Sequence, residues 1–220
     1  PGTDKALTFN PSYGMYSVSA AVNDVEIIKV PLDDKYQIDL RDLIPRLSDP
    51  HLKLIIICSP NNPTGNCMNR AAMERIIYRF GGIVLVDEAY IDFAGCRSLL
   101  DSLEKYPNLI VMHTFSKAYG MASARVGMAF ASEEIVGYFN KMKPPYNIST
   151  LNQQAVLRRI TGRNDFKEQV RKIISERERV ASELKKLPMV KKVWPSDANF
   201  LLVKVSDADS IYKYLADSKI

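Results

Sequence analysis

The sequence predicts an α/β fold: a mostly parallel sheet with helices on both faces, followed by the start of a smaller α/β unit. Three observations carry that prediction. Short aliphatic runs alternate with helical patterns through the first two-thirds of the chain, and strand, helix, strand in succession is the signature of an α/β layer. Several runs are apolar without alternation, Leu52–Cys58 and Ile83–Val86 among them, which is how strands covered on both faces read. With 220 residues, 46% of them hydrophobic, the chain can bury a sizeable core.

The expected strands of the first unit are Ala6–Phe9, Val25–Val30, Leu52–Cys58, Ile83–Val86, Leu109–His113 and Val126–Phe130. Leu40, Leu43, Ile44 and Leu47 share helical spacing, but Pro45 falls inside that pattern and interrupts it. Asn69 is suited to cap a helix whose stripe is Ala72, Met73, Ile76, Ile77 and Phe80, and Gly81–Gly82 stops it. Ser132 followed by Glu133 and Glu134 starts another, with Ile135, Val136, Phe139 and Met142 expected inward. Pro144–Ser149 breaks the pattern, and the chain then turns long and helical. In Asp165–Leu187 the apolar positions are Phe166, Val170, Ile173, Ile174, Val180, Leu184 and Leu187. The dense charge at Glu176–Arg179 reads as a solvated face, because acids and bases interleave. After Pro188, Lys192–Pro195 and Phe200–Val205 read as strands and Asp207–Lys219 as a helix. The expected divisions are 1–150, 151–187 and 188–220.

Composition excludes several classes. Thirty Lys and Arg against 25 Asp and Glu leave a net charge of +5 with both signs mixed, too mild for a default nucleic-acid binder. The patches at Lys141–Lys143 and Arg158–Arg163 lack an aromatic platform. No apolar stretch approaches the ~20 residues of a membrane span. Cys58, Cys67 and Cys96 lack disulfide-framework or zinc spacing and read as reduced thiols of a cytoplasmic protein. His51 and His113 complete no metal set and read as ordinary surface or core residues. No G-x-G-x-x-G follows the first strand, and no G-x-x-x-x-G-K-[ST] occurs.

Chemistry is therefore expected beyond the carboxyl ends of the strands, where open α/β sheets bind ligands. Three such ends stand out. Ser59–Gly65 (SPNNPTG) follows Leu52–Cys58, its prolines and glycine shaping a turn with Asn61 and Asn62 as amide donors at the rim. Asp87-Glu88-Ala89-Tyr90 follows Ile83–Val86, and an acid at a buried strand end is costly unless it meets a cation. Thr114–Lys117 (TFSK) follows Leu109–His113, with Arg125 eight residues past the lysine. A lysine beside two hydroxyls and an arginine suits an anionic, phosphate-like ligand next to a reactive amine. Each cluster alone admits a plainer reading as turn, helix cap or surface charge. Three at three strand ends do not.

Asn62 in SPNNPTG, Asp87 and Tyr90 in DEAY, and Lys117 and Arg125 in SKAYGMASARVG resemble the fold-type I pyridoxal-phosphate aminotransferases. Pro11–Ala20 (PSYGMYSVSA), DEAYIDF and PPYNIS are similar to the histidinol-phosphate subfamily, and the likeness runs from Pro1 to Ile220. The resemblance implies pyridoxal 5'-phosphate as cofactor, with Lys117 forming the imine to its aldehyde and moving the substrate proton. It implies Asp87 as partner of the pyridine nitrogen, Asn62 and Tyr90 at the phenolic oxygen, and Thr114, Ser116 and Arg125 at the phosphate. Tyr13 would stack on the ring, and Asn147 would lie near substrate.

By that resemblance the expected reaction moves an amino group between glutamate and imidazole acetol phosphate, in a cytoplasmic homodimer without metal, nucleic acid or membrane. Another fold-type I enzyme, an aromatic aminotransferase or a threonine-phosphate decarboxylase, is the rival reading. A non-catalytic binding protein keeping the fold is a further one, against which intact Lys117, Asp87 and Arg125 count. The family pattern also leads to the expectation that the chain is a central portion lacking both ends, inactive by itself. Ser123–Ala124 stands where a glycine is often found.

Overall fold

The computed structural model describes residues 2–162 and 164–220. Its main sheet has six strands: β1 (Lys5–Asn10), β2 (Glu26–Pro31), β3 (Leu52–Cys58), β4 (Ile83–Asp87), β5 (Leu109–Thr114) and β6 (Gly127–Phe130). They lie in the order β2-β1-β3-β4-β5-β6. The first five run parallel and β6 closes one edge antiparallel to β5. Leu7, Val30, Ile55, Ile57, Val84, Val86, Leu109 and Val111 lose all solvent contact there. That is the unbroken aliphatic pattern realised, because helices cover the sheet.

Helix α1 (Met15–Val22) has no counterpart among the sequence expectations. Gly14 at its start gives no side-chain cap, and neither end carries a helpful charge, so the usual signals are missing. Helix α2 (Leu40–Leu43) passes directly into a tighter 3-10 turn at Ile44–Arg46, where Pro45 removes a donor. Helix α3 (Arg70–Arg79) begins where Asn69 accepts from the Ala72 amide. Its Met73, Ile76 and Ile77, with Phe80 just beyond, enter the core. At roughly 1.5–3 kcal/mol per fully buried side chain, that packing outweighs any propensity difference along the helix. Asn108 then donates to the carbonyls of Ile77, Phe80 and Gly82, sealing the helix end against the start of β5.

One expectation fails in the C-terminal half. Helix α4 (Glu133–Met142) is capped by Ser132 but buries none of its residues. Val136, Phe139 and Met142 are exposed rather than inward, because none of the described residues covers that face. The long helical segment is two helices, α5 (Thr150–Thr161) and α6 (Asn164–Leu184), with Gly162 ending the first. The Arg158–Arg163 patch falls partly outside the described residues. In α6, Val170 joins Tyr90, Phe93, Ala118 and Ala198 in a second cluster, and Arg177 donates to the Ala198 carbonyl at 2.8 Å. A two-stranded antiparallel ribbon, β7 (Val190–Val193) and β8 (Val203–Val205), and helix α7 (Ala208–Asp217) follow. Both strands are shorter or earlier than their patterns predicted.

Cys67 and Cys96 are joined as a disulfide, which corrects the expectation of three free thiols. They lie in the loops after β3 and after β4, and the sheet brings those loops side by side despite a sequence separation of 29. Cys58 keeps a free, buried thiol. No helix among the described residues is long and apolar enough to cross a membrane.

Candidate active site

Parallel register aligns the strand ends that the sequence singled out. Cys58 pairs with Asp87, and Asp87 with Met112, so the loops after β3, β4 and β5 leave the sheet at one edge. A cavity of about 550 Å³ opens there. Its wall includes Tyr13, Asn62, Asp87, Tyr90, Thr114, Ser116, Lys117 and Arg125. Asn147 is not part of that wall. It sits exposed in the Pro144–Ser149 loop, whose hold on the body is Ile148 against the Phe115 cluster.

Asp87 is 7% exposed. Tyr16 Oη donates to its Oδ2 at 2.7 Å, and the Ala89 amide to its Oδ1 at 3.0 Å. Burial pushes the carboxyl above the ordinary aspartate range, and the two donors pull it back. Burial likewise drives the Tyr16 phenol far up, with the neighbouring Cys58 and Asp87 adding to the effect. The Cys58 thiol is pushed up to about 12 by burial and then by the Asp87 charge. Both therefore stay neutral beside the acid.

The loop after β3 is built inward. Asn61, expected at the rim, is wholly buried. It donates to the Pro11 carbonyl and to Thr64 Oγ1 and accepts from Ser12 Oγ, so its work is to dock this loop on the start of α1. Gly65 has φ +80°, and a Cβ there would meet Ser196 Oγ at 2.6 Å, so glycine alone fits. Asn62 is left facing the cavity, its Nδ2 donating to Tyr90 Oη at 3.4 Å. Tyr90 is fixed edge-on to Phe200, and Lys117 Nζ lies 5.2 Å from the Tyr90 ring centroid.

After β5 the chain turns as Thr114 Oγ1 accepts from the Ser116 amide. Arg125, with left-handed backbone at φ +52°, is exposed and donates to the Ala122 carbonyl. His113, read from sequence as an ordinary residue, lines the cavity instead. Its Nε2 lies 2.9 Å from Glu88 Oε2, and buried Glu88 also accepts from Ser98 Oγ and the Leu99 amide. This pair binds the ends of β4 and β5 together, one residue from both Asp87 and Thr114.

The profile of the family described as "Aminotransferase class I and II" matches residues 1–220. The chain belongs to the class I and II aminotransferase family. The histidinol-phosphate aminotransferase of Cytophaga hutchinsonii is 49% identical over 217 residues, covering 99% of this chain and 62% of that protein. The chain thus spans under two-thirds of the length of that relative. In three dimensions it superposes on the histidinol-phosphate aminotransferase of Clostridium acetobutylicum with a TM-score of 0.92 at 26% identity. That match covers 99% of this chain and 67% of the other. The Sinorhizobium meliloti histidinol-phosphate aminotransferase, solved in complex with pyridoxal-5'-phosphate, shares the fold at TM-score 0.85 and 24% identity, over 99% and 60% of the two chains.

Within this aminotransferase-family site, sequence reasoning missed Tyr16, Cys58 and the Glu88–His113 pair. A signal existed for Tyr16. It stands three residues after Tyr13, close enough for the two rings to meet where the chain enters a helix. With α1 unrecognised, the direction in which Tyr16 leaves the chain was not legible.

Proposed function

We propose that this chain is the cofactor-binding core of an aminotransferase that uses pyridoxal 5'-phosphate, exchanging an amino group between glutamate and imidazole acetol phosphate to make histidinol phosphate. One observation carries the reading: Asp87, Lys117 and Arg125, from the ends of β4 and β5 and the turn before β6, open onto one cavity. The substrate assignment leans on the name shared by relatives such as the Cytophaga hutchinsonii enzyme.

The donor set fits the cofactor. A buried carboxylate with both oxygens already bonded suits a ring N–H, since it needs one more cation and no water. A guanidinium beside two hydroxyls suits a phosphate dianion, and an exposed amine suits an aldehyde. Bound pyridoxal phosphate supplies a carbonyl that accepts the amino group and a cationic ring that withdraws electrons from the substrate α-carbon.

The residues then divide the work. Asp87 would keep a proton at the ring nitrogen. Asn62 and Tyr90 would hold the ring's phenolic oxygen, and Tyr13 would cover a ring face. Thr114, Ser116 and Arg125 would grip the phosphate. Lys117 Nζ would hold the aldehyde end of the cofactor and would serve as the general base that moves the substrate α-proton. We assign residues 1–150 to the large domain, 151–187 to the connection and 188–220 to a small domain. We further propose a cytoplasmic homodimer. Exposed Met15, Val18 and Val22, at helical spacing on α1, suit a subunit contact. In the reducing cytoplasm the Cys67–Cys96 bond would open.

Borohydride reduction of the intact, cofactor-loaded protein, followed by peptide mapping, tests the reading. The adduct is expected on Lys117. An adduct elsewhere, or none, overturns it. Assay of histidinol phosphate with 2-oxoglutarate, against an aromatic amino acid and threonine phosphate, then separates the substrate classes.

A further inference from the structure

We infer that Tyr16 is a positioning residue that aims the Asp87 carboxylate and keeps it anionic for the ring nitrogen of the cofactor. The inference rests on the reading of Asp87 given above.

The geometry points one way. Asp87 offers two oxygens to the protein, and each receives one donor: Tyr16 Oη on Oδ2 at 2.7 Å and the Ala89 amide on Oδ1 at 3.0 Å. The amide belongs to the same strand end and moves with it. Tyr16 comes from α1, 71 positions away, and provides the side-chain hydroxyl that fixes the plane of the carboxylate. A distance of 2.7 Å is that of a charge-assisted O–H···O⁻ bond, which favours the anion. Tyr16 is itself buried, and its phenol cannot ionise in the working range, so it is always a donor.

Tyr16 is held firmly enough to aim. The segment before α1 is docked by Ser12 on Asn61 Oδ1 and by Asn61 on the Pro11 carbonyl. The Tyr16 ring stands edge-on to Tyr13, with centroids 5.5 Å apart and planes at 86°. Tyr13, just before α1, and Tyr16, in its first turn, therefore link the aromatic ring on the cavity wall to the acid within it. The titratable groups around Asp87 are Tyr16 from α1, Cys58 from β3, Glu88 at the end of β4 and His113 from β5. Cys58 stays neutral, and Glu88 opposes a second anion beside it while His113 favours one. Tyr16 is thus the hydroxyl donor of that set.

Tyr16→Phe removes one oxygen and leaves the ring packing against Tyr13. The expected result is a roughly tenfold weaker dissociation constant for pyridoxal phosphate, read by fluorescence titration of the intact protein. The acid limb of cofactor binding should move to higher pH, because Asp87 loses a donor that favours its anion. Turnover should fall with little change in KM. A merely structural role is separated by a cycle with Asp87→Ala: in that background Tyr16→Phe should no longer alter cofactor affinity. An equal loss in both backgrounds, or no shift of the acid limb, overturns the inference. If wild-type protein binds the cofactor at Lys117 and Tyr16→Phe is silent, this inference alone fails. Absence of any Lys117 adduct in wild-type protein fails the functional reading with it.

Discussion

The acid and the amine that share the cavity are held in opposite ways. Asp87 is buried, with both oxygens bonded from two elements, and Glu88 and His113 clamp the strand ends beside it. Lys117 is exposed, and its Nζ rests near the Tyr90 ring face, 5.2 Å from the centroid. The contrast matches the two proposed roles. A group that must hold one proton throughout a reaction gains from a fixed position and a fixed charge. A group that must bond, let go and carry a proton needs room to swing. Packing supplies the first, and a strand end opening to solvent supplies the second.

The contrast can be broken from the mobile side first. Lys117→Ala should cost at least about 10³-fold in turnover, by loss of the anchoring amine and the general base together. A single-turnover assay of amino transfer with the intact protein measures it, and an added primary amine should restore part of the rate. The cofactor should still bind, since Arg125 and Asp87 remain.

Breaking the fixed side should cost less activity and change stability in the unexpected direction. Asp87→Asn should lower turnover by roughly 10²- to 10³-fold, as loss of a preorganised charge does. In the cofactor-free protein the folded-state pKa of Asp87 is raised, so its ionisation weakens folding. Its contribution is favourable below the unfolded carboxylate pKa and is lost as pH rises through the folded value. Cofactor-free Asp87→Asn should therefore unfold at a higher temperature than wild type at neutral pH. The gap should close in acid. A variant less stable at pH 7 would mean that Tyr16 and Ala89 more than offset the burial cost.

The smallest effect on the site should come from opening the disulfide. Cys67–Cys96 joins the loops after β3 and β4, but neither cysteine lines the cavity, so reduction should leave cofactor affinity unchanged while lowering stability by about 2–4 kcal/mol. Thiol titration in denaturant should count one free thiol before reduction and three after. A reduced protein that loses the cofactor would place the bond in support of Asn62 rather than of the fold alone.

Much of the architecture was legible because it follows from local rules. The Leu52–Cys58 run became β3 with the same ends, and Asn69 capped α3 as its position implied. The three polar strand ends met because parallel strands place their carboxyl ends together. Other features did not follow from local rules. Helix α1 forms without a capping side chain, and the segment before it is tied down from 49 positions away, by Ser12 on Asn61. Asn61 and Asn62 are identical in type and adjacent, yet one is structural and the other faces the cavity. Helix α4 has the stripe of a packed helix, yet none of its residues is buried among the described residues.

Residue order alone therefore specified the sheet, most helices and the chemistry of the strand ends, because periodicity, caps and polar clusters are properties of short stretches. Folding in space determined which groups met across long gaps. Tyr16 reached Asp87, His113 reached Glu88, and Cys67 reached Cys96. Those pairings arise from register and from the docking of one loop on another, and no stretch of sequence contains both halves of them.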